Sequence, residues 1–412
     1  MHAVEKIMAR SSNKKEVEPG DIIEAKIDLT MIHDRGADLI LNACNELNIG
    51  VYDPDSIVMV FDHSCLPLVK SSALKLQMLR EFAKKHGIKA IYEGGEGICH
   101  VLMPDKGHVW PGAMMIGSDS HTTTSGALGA LAVGVGKSEA GAAIATGELW
   151  LKVPEVIKFE IQGKLQDNVM ARDIAQYILG KYGTMAAQYK VAEFSGAVVQ
   201  NMSMDGRFCL CALSAEMGAK SGFIEPDSTT NEYLQRVSGK TFPFTPTDPD
   251  YQYPRVYELD VSMLEPQVAC PHSPGNVQPV SKIEGTIIDQ ASIGTCTGGR
   301  LGELRIAAKI MKGKKVHPNV RMQIIPGSRD IYRESLREGL IDIFIDAGAI
   351  VGVPSCWNCG GIYRAKDEVC IHTGPRNFKG RGGHEDSLTY NASPATVAAS
   401  ALEGHISGVK RS

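Results

Sequence analysis

One spacing pattern recurs along the chain. A short apolar run ends, a polar stretch of Gly, Ser, Asp or His follows, and residues at helical spacing begin. Residues 57–61 (Ile-Val-Met-Val-Phe) run into Asp62-His63, residues 88–92 into a Glu/Gly loop ending at Cys99-His100, and residues 113–117 into Ser118-Asp119-Ser120-His121. In the last third, residues 285–289 precede the loop of Cys296. Residues 341–345 precede that of Cys356, and residues 369–372 precede Pro375 to Arg381. Short apolar runs rich in β-branched residues predict strands, and helical spacing between them predicts α/β layers with largely parallel sheets. Such sheets bind ligands beyond the carboxyl ends of their strands. Every polar cluster falls at such an end, so a single shared site is expected.

Other segments set the organisation. Residues 156–161 open a new strand after a Gly/Ala-rich stretch, 127–145, which reads as a packed helical region. Lys137 and Glu139 within it argue against a membrane span. Residues 242–254, rich in Pro, Asp and Tyr, read as a surface excursion, and residues 271–279 as a linker. A chain of 412 residues exceeds a single core. We therefore expect three α/β/α-type domains, 1–157, 158–279 and 280–412, the last carrying the cysteine loops.

Composition narrows the class. The chain is 43% hydrophobic and 22% charged with a net charge of -4, and it has no basic run. It reads as a globular protein with neither a nucleic-acid nor an anionic-membrane surface. The N-terminal residues lack the apolar core of a signal peptide. Ten cysteines without such a signal point to a reducing, cytoplasmic compartment. Cys44, Cys65, Cys99, Cys209, Cys211, Cys270 and Cys370 read as small buried hydrophobes.

Three cysteines differ from the rest. Cys296 lies in Gly-Thr-Cys-Thr-Gly-Gly-Arg, and Cys356 and Cys359 form a Cys-x-x-Cys pair in Pro-Ser-Cys-Trp-Asn-Cys-Gly-Gly. One distant thiol plus such a pair suits an iron–sulfur cluster. Four thiolates close a cubane, whereas three leave one iron open to a substrate oxygen. A zinc site would show a second close ligand pair, and a redox pair would open a helix near a domain's start. A set of plain core thiols is the remaining reading. Asp62-His63 suits proton transfer, because a carboxylate fixes the imidazole tautomer and holds its charge. His100 and His121 lie in further strand-end loops, with Asp119 able to orient His121. Arg376 and Arg381 are either solvated charges or a planar fork for a carboxylate. Glu216, on a small-residue helix, faces either solvent or the site.

These residues resemble the aconitase superfamily over nearly the whole chain. The likeness is greatest to the large subunits of the two-chain 3-isopropylmalate dehydratase and homoaconitase group. Its carriers are Phe61-Asp62-His63, Gly97 to His100, Gly117 to Thr122, Glu265 to Val268, the two cysteine loops and Arg376 to Arg381. The resemblance implies a [4Fe-4S] cluster, one per subunit, on Cys296, Cys356 and Cys359. It implies a hydro-lyase that dehydrates and isomerises a 2-hydroxy di- or tricarboxylic acid. Asp62-His63 would protonate the departing hydroxyl, with Asp119, His121, His100 and Glu216 around it. His33, Ser120, Arg376 and Arg381 would contact carboxylates. The C–H base would be a serine on a swivelling domain, expected here on a small partner subunit. Relatives acting on homoaconitate, citramalate or dimethylmalate, or sensing iron or redox state, are alternatives. The chain departs from the usual pattern at Ala212, Gly298 and Pro375, where Asn is customary, and at Asp105, where Glu is.

Overall fold

A computed structural model of the chain describes residues 1–65, 69–356 and 363–410. Three sheets organise it. The first has five parallel strands in the order Ala90–Tyr92, Ile57–Val60, Leu29–His33, Met114–Gly117, Leu131–Gly134. Leu29–His33, Ile57–Val60 and Met114–Gly117 are buried at every position. That is why they read as unbroken apolar runs rather than alternating ones. The second sheet is also parallel, in the order Ser221–Phe223, Val191–Ser195, Val156–Gln162, Val256–Asp260.

The third sheet has seven strands. From one edge they are Val277–Pro279, Gln267–Ala269, Leu388–Ala392, Val369–His372, Gln290–Ile293, Arg321–Ile324 and Ile350–Val351. Its first two pairings are antiparallel and the rest parallel. A separate antiparallel ribbon joins Ile22–Lys26 to Glu148–Lys152. The architecture is thus the expected α/β type with largely parallel sheets. One core lies between the first two sheets (Val58, Met115, Phe159, Phe194, Phe208) and another lines the third (Ile293, Ile324, Phe344, Ile371).

Four local expectations are corrected. Residues 341–345 form no strand but lie in the helix Leu340–Asp346. Leu340, Ile341 and Phe344 are buried while Ile345 is 57% exposed, a helical face hidden inside an apparent alternation. The strand there is only Ile350–Val351. Residues 285–289 make an isolated bridge, Ile287 to His405, and the true strand begins at Gln290. The stretch 127–145 is not one helical block. A 3-10 segment ends at Leu128, a strand spans Leu131–Gly134 and a helix spans Lys137–Thr146, with Gly129 and Gly136 at the breaks. Residues 277–279, placed in the linker, form an edge strand.

The carboxyl ends of the first and third sheets meet. The Ile98 N–H donates to Gly327 carbonyl at 2.9 Å and the Cys356 N–H to Asp62 carbonyl at 2.8 Å. Gly97 (φ +151°) makes this approach possible: a Cβ there would sit 2.8 Å from Ser328 Cβ.

Candidate active site

A cavity of about 410 Å³ occupies this junction, and a second of about 700 Å³ adjoins it through shared walls. From the first sheet, the inner cavity takes His33, His63 and Asp119, and His100 and His121 stand beside them. From the third sheet it takes Cys296, Cys356, Arg376 and Arg381. The structure therefore gathers most of the sequence-predicted residues around one space. His100 and His121 lie not in open loops but at the second positions of the helix Cys99–Asp105 and of the 3-10 segment Ser120–Leu128.

Asp62 lies two residues past the strand Ile57–Val60 and is fully buried. One carboxylate oxygen pairs with His63 Nδ1 at 2.8 Å and the other accepts the Cys99 N–H at 2.8 Å. Burial would lower the His63 pKa, but the Asp62 charge and hydrogen bond, aided by Asp34, push it up to about 9. Asp62 itself is held down at about 2: burial opposes ionisation, and the His63 charge overrides it. Asp34 secures the turn, its two oxygens accepting the His63 and Ser64 N–H groups at 3.0 and 2.7 Å. His33 stacks on His63 with ring centres 4.4 Å apart. Burial, then the His63 charge, lower its pKa to about 3, so His33 is neutral. The Arg35 N–H donates to its Nδ1 at 3.1 Å, which places the ring proton on Nε2.

A second relay runs through Asp119. One oxygen meets His100 Nε2 at 2.9 Å and also accepts the His121 N–H at 2.8 Å. His121 Nε2 pairs with Glu216 at 3.0 Å, and Arg376 Nε donates to the same Glu216 at 2.8 Å. Burial would lower the His121 pKa, yet Asp119 and Glu216 raise it to about 9. Glu216 thus faces the site rather than solvent. It sits in the 3-10 turn Ser214–Met217, just past the helix Met204–Leu213. Arg376 Nη2 also donates to Ser120 Oγ at 2.9 Å, tying the third sheet to the first.

Cys296 and Cys356 are both buried and on the wall of the same cavity. Cys359 lies outside the described residues. A buried pair of thiols from two strand-end loops fits the metal-ligand part of a three-thiolate set. Of the other cysteines, Cys65 is only half-buried, unlike the six expected and found in the interior.

Residues with no sequence signal support these loops. Arg172, on the helix Ala171–Tyr182, is fully buried. It donates to Thr297 Oγ1 at 3.1 Å and carbonyl at 3.3 Å, to the Thr373 carbonyl at 2.7 Å, and to the Gly374 carbonyl at 2.5 Å. It therefore joins the residue after Cys296 to the turn before Arg376. Arg300 donates to the His100 carbonyl and to Asp105, both at 3.1 Å, with its guanidinium stacked on Phe208. The shorter Asp105 carboxylate meets this buried arginine. At Gly298 a Cβ would fall 2.3 Å from Thr373 Cβ, so the customary Asn has no room in this backbone. Lys137, at the first position of its helix, also lines the cavity beside His33.

Fold and site together define an α/β enzyme scaffold with two histidine–carboxylate relays beside a thiol-lined cavity. The model of the aconitase family (aconitate hydratase) matches residues 5–286 and 278–404. The chain is 46% identical to a 3-isopropylmalate dehydratase large subunit of Aquifex aeolicus, over 98% of this chain and 96% of that one. It is 42% identical to a probable methanogen homoaconitase large subunit of Methanothermobacter thermautotrophicus, over 99% and 97%. The crystal structure of Thermococcus kodakaraensis aconitase X (holo-form) shares the fold, with TM-score 0.50 and 14% identity over 91% of this chain and 90% of that one. The chain belongs to the aconitase family.

Proposed function

We propose that this chain is the large subunit of a hydro-lyase that dehydrates and isomerises a 2-hydroxy di- or tricarboxylic acid, most like 3-isopropylmalate dehydratase. The observation that carries the reading is the gathering of Cys296, Cys356, both relays and two arginines around one cavity. Full-length likeness to dehydratase and homoaconitase large subunits supports it. Cys296, Cys356 and Cys359 would hold one [4Fe-4S] cluster per subunit, which supplies a Lewis acid toward the leaving hydroxyl.

The chain's own groups supply the rest. Hydroxide leaves poorly without a proton. His63 carries two ring protons at neutral pH, and with Nδ1 taken by Asp62 its Nε2 proton is the one available to the cavity. His100, Asp119, His121 and Glu216, held together by their own hydrogen bonds, would form the polar shell on the other side of that oxygen. Arg376 and Arg381 on the cavity wall, with Ser120 bonded to Arg376, orient carboxylates, and neutral His33 adds one N–H donor. The base that removes the C–H proton is assigned to a serine on the swivelling domain of a small subunit. The large-subunit names of the relatives support that partner. A cytoplasmic setting suits oxygen-sensitive thiolate ligands. Among the described residues no helix is long and apolar enough to cross a membrane.

Anaerobic reconstitution tests the reading. The protein should take up iron and sulfide and turn brown, with broad visible absorption. Cys296→Ser should lose that absorption while keeping its circular dichroism. A colourless wild type would refute the assignment.

A further inference from the structure

The turn that carries Arg376 is held from behind by a histidine that the chemistry above does not use. His372 closes the strand Val369–His372, is 5% exposed and lines neither cavity. Its Nδ1 accepts the Gly374 N–H at 2.9 Å, so the ring proton is on Nε2. That nitrogen meets the side-chain amide of Asn391 at 3.0 Å, its partner in register on the next strand. Burial, then the charges of Arg364, Arg172 and Arg381, hold the His372 pKa well below the usual histidine range. The ring is therefore neutral, and Nδ1 stays an acceptor.

The rest of the turn is built around this contact. A Cβ on Gly374 would lie 2.2 Å from His372 Cε1, so only glycine fits beneath the ring. Pro375 follows, with a fixed φ and no N–H. The Gly374 N–H is thus the last backbone donor before that of Arg376. Arg172 takes the Thr373 and Gly374 carbonyls at 2.7 and 2.5 Å. Gln176, one turn along the same helix, donates to the Asn391 carbonyl at 2.7 Å. Beyond Arg376, the Asn377 amide donates to the Cys270 carbonyl at 2.7 Å. The Arg376 side chain leaves this clamped backbone to reach Glu216 at 2.8 Å and Ser120 at 2.9 Å. A guanidinium fork serves a carboxylate only while its plane is held.

We propose that His372 is a positioning residue for Arg376: by accepting the Gly374 N–H, it fixes the turn that sets the guanidinium against a substrate carboxylate. This inference rests on the hydro-lyase reading, which gives Arg376 that carboxylate. It adds a residue behind the cavity wall on which substrate binding depends. Without an acceptor the Gly374 N–H is buried and unpaired, and the turn relieves that cost by rotating, which carries Arg376 with it.

The two ring nitrogens can be removed separately. An Asn side-chain oxygen falls near the place of Nδ1, and a Gln side-chain amide near that of Nε2. His372→Asn therefore keeps an acceptor for Gly374, whereas His372→Gln keeps only the contact with Asn391. Calorimetry on the reconstituted holo-protein with its small subunit measures binding of 2-isopropylsuccinate, a dicarboxylate that lacks the departing hydroxyl. His372→Gln should weaken this binding by about tenfold, the worth of one charge-assisted hydrogen bond, and His372→Asn should stay within about threefold of wild type. In turnover, His372→Gln should raise KM by about tenfold and leave kcat within about twofold. In an Arg376→Lys background, His372→Gln should cause no further loss, because its effect passes through the fork. Iron content and circular dichroism confirm that each variant is folded and loaded. Should His372→Gln fail that check, Asn391→Ala loosens the ring without removing it and should weaken binding by about threefold. Equal weakening by the Asn and Gln variants would overturn the role. So would unchanged binding in His372→Gln, or in Asn391→Ala where that variant replaces it, or a tenfold loss that persists with Arg376→Lys. A wild-type protein that binds no such dicarboxylate would overturn the hydro-lyase reading together with the role.

Discussion

Asp62 serves three segments at once, through His63, Cys99 and the backbone of Cys356. Asp62→Asn removes the charge that keeps His63 protonated. We expect kcat to fall by about 10²- to 10⁴-fold, the usual contribution of a positioned acid, measured at constant iron content. Glu303 gives a stability test away from the ligands. Burial, then Asp205, push its pKa up to about 8, although the Arg300 N–H donates to it at 3.0 Å. The folded state therefore holds this proton through a pH range in which the unfolded chain has lost it. Stability from this group is present below the ordinary carboxylate range and is lost as pH rises toward 8. Glu303→Gln should flatten that decline, seen as a melting temperature less dependent on pH across this window. Residues such as Asp62, His63, Asp119 and His121 were legible because reactive side chains directly after an apolar run mark a strand end. Arg35, Lys137 and Asp34 were not, because an isolated charge beside a loop or at a helix start looks the same whether it meets water or a cavity.

At the scale of elements, the helix Ala171–Tyr182 acts as a brace between two loops. Arg172 satisfies acceptors on both, and its guanidinium makes no ion pair among the described residues. Arg172→Met leaves these acceptors buried and unpaired. We expect a loss of about 3–5 kcal/mol in stability, with weaker iron retention and a raised KM. Denaturant titration of the apo-protein and iron analysis of the reconstituted protein would check both. No sequence pattern announces such a brace, since both loops it serves are more than a hundred residues away. The helix Leu340–Asp346 was hidden for a different reason. Ile-Asp-Ile-Phe-Ile alternates with a period of two, but the neighbouring Leu340 and Phe344 set a helical face that only packing reveals. Strands buried on both faces, such as Met114–Gly117, carried the clearest signal because nothing polar interrupts them.

At the scale of the molecule, the site belongs to no single sheet. The first supplies the acid–base pairs, the second Glu216 and Arg172, the third the thiols and arginines. The outer cavity leaves this assembly open on the side of His63, Arg381, Tyr363 and Phe378, the last two being 78% and 46% exposed. With the C–H base on a small subunit, as proposed, the large subunit alone should load iron yet hydrate unsaturated acids at under about 1% of the rate of the two-chain complex. Adding the purified small subunit should restore turnover in proportion to complex formed.

The junction of Asp62 with Cys356 also fixes an order of events during synthesis. A ribosome presents His33 and His63 long before Cys356 and Arg381 exist. Until those last segments emerge, the early sheet has a half-built wall and no chamber. Delivery of the proposed metal payload would therefore follow translation of the distal loops, and a nascent chain stalled before residue 356 would offer the delivery machinery nothing to fill.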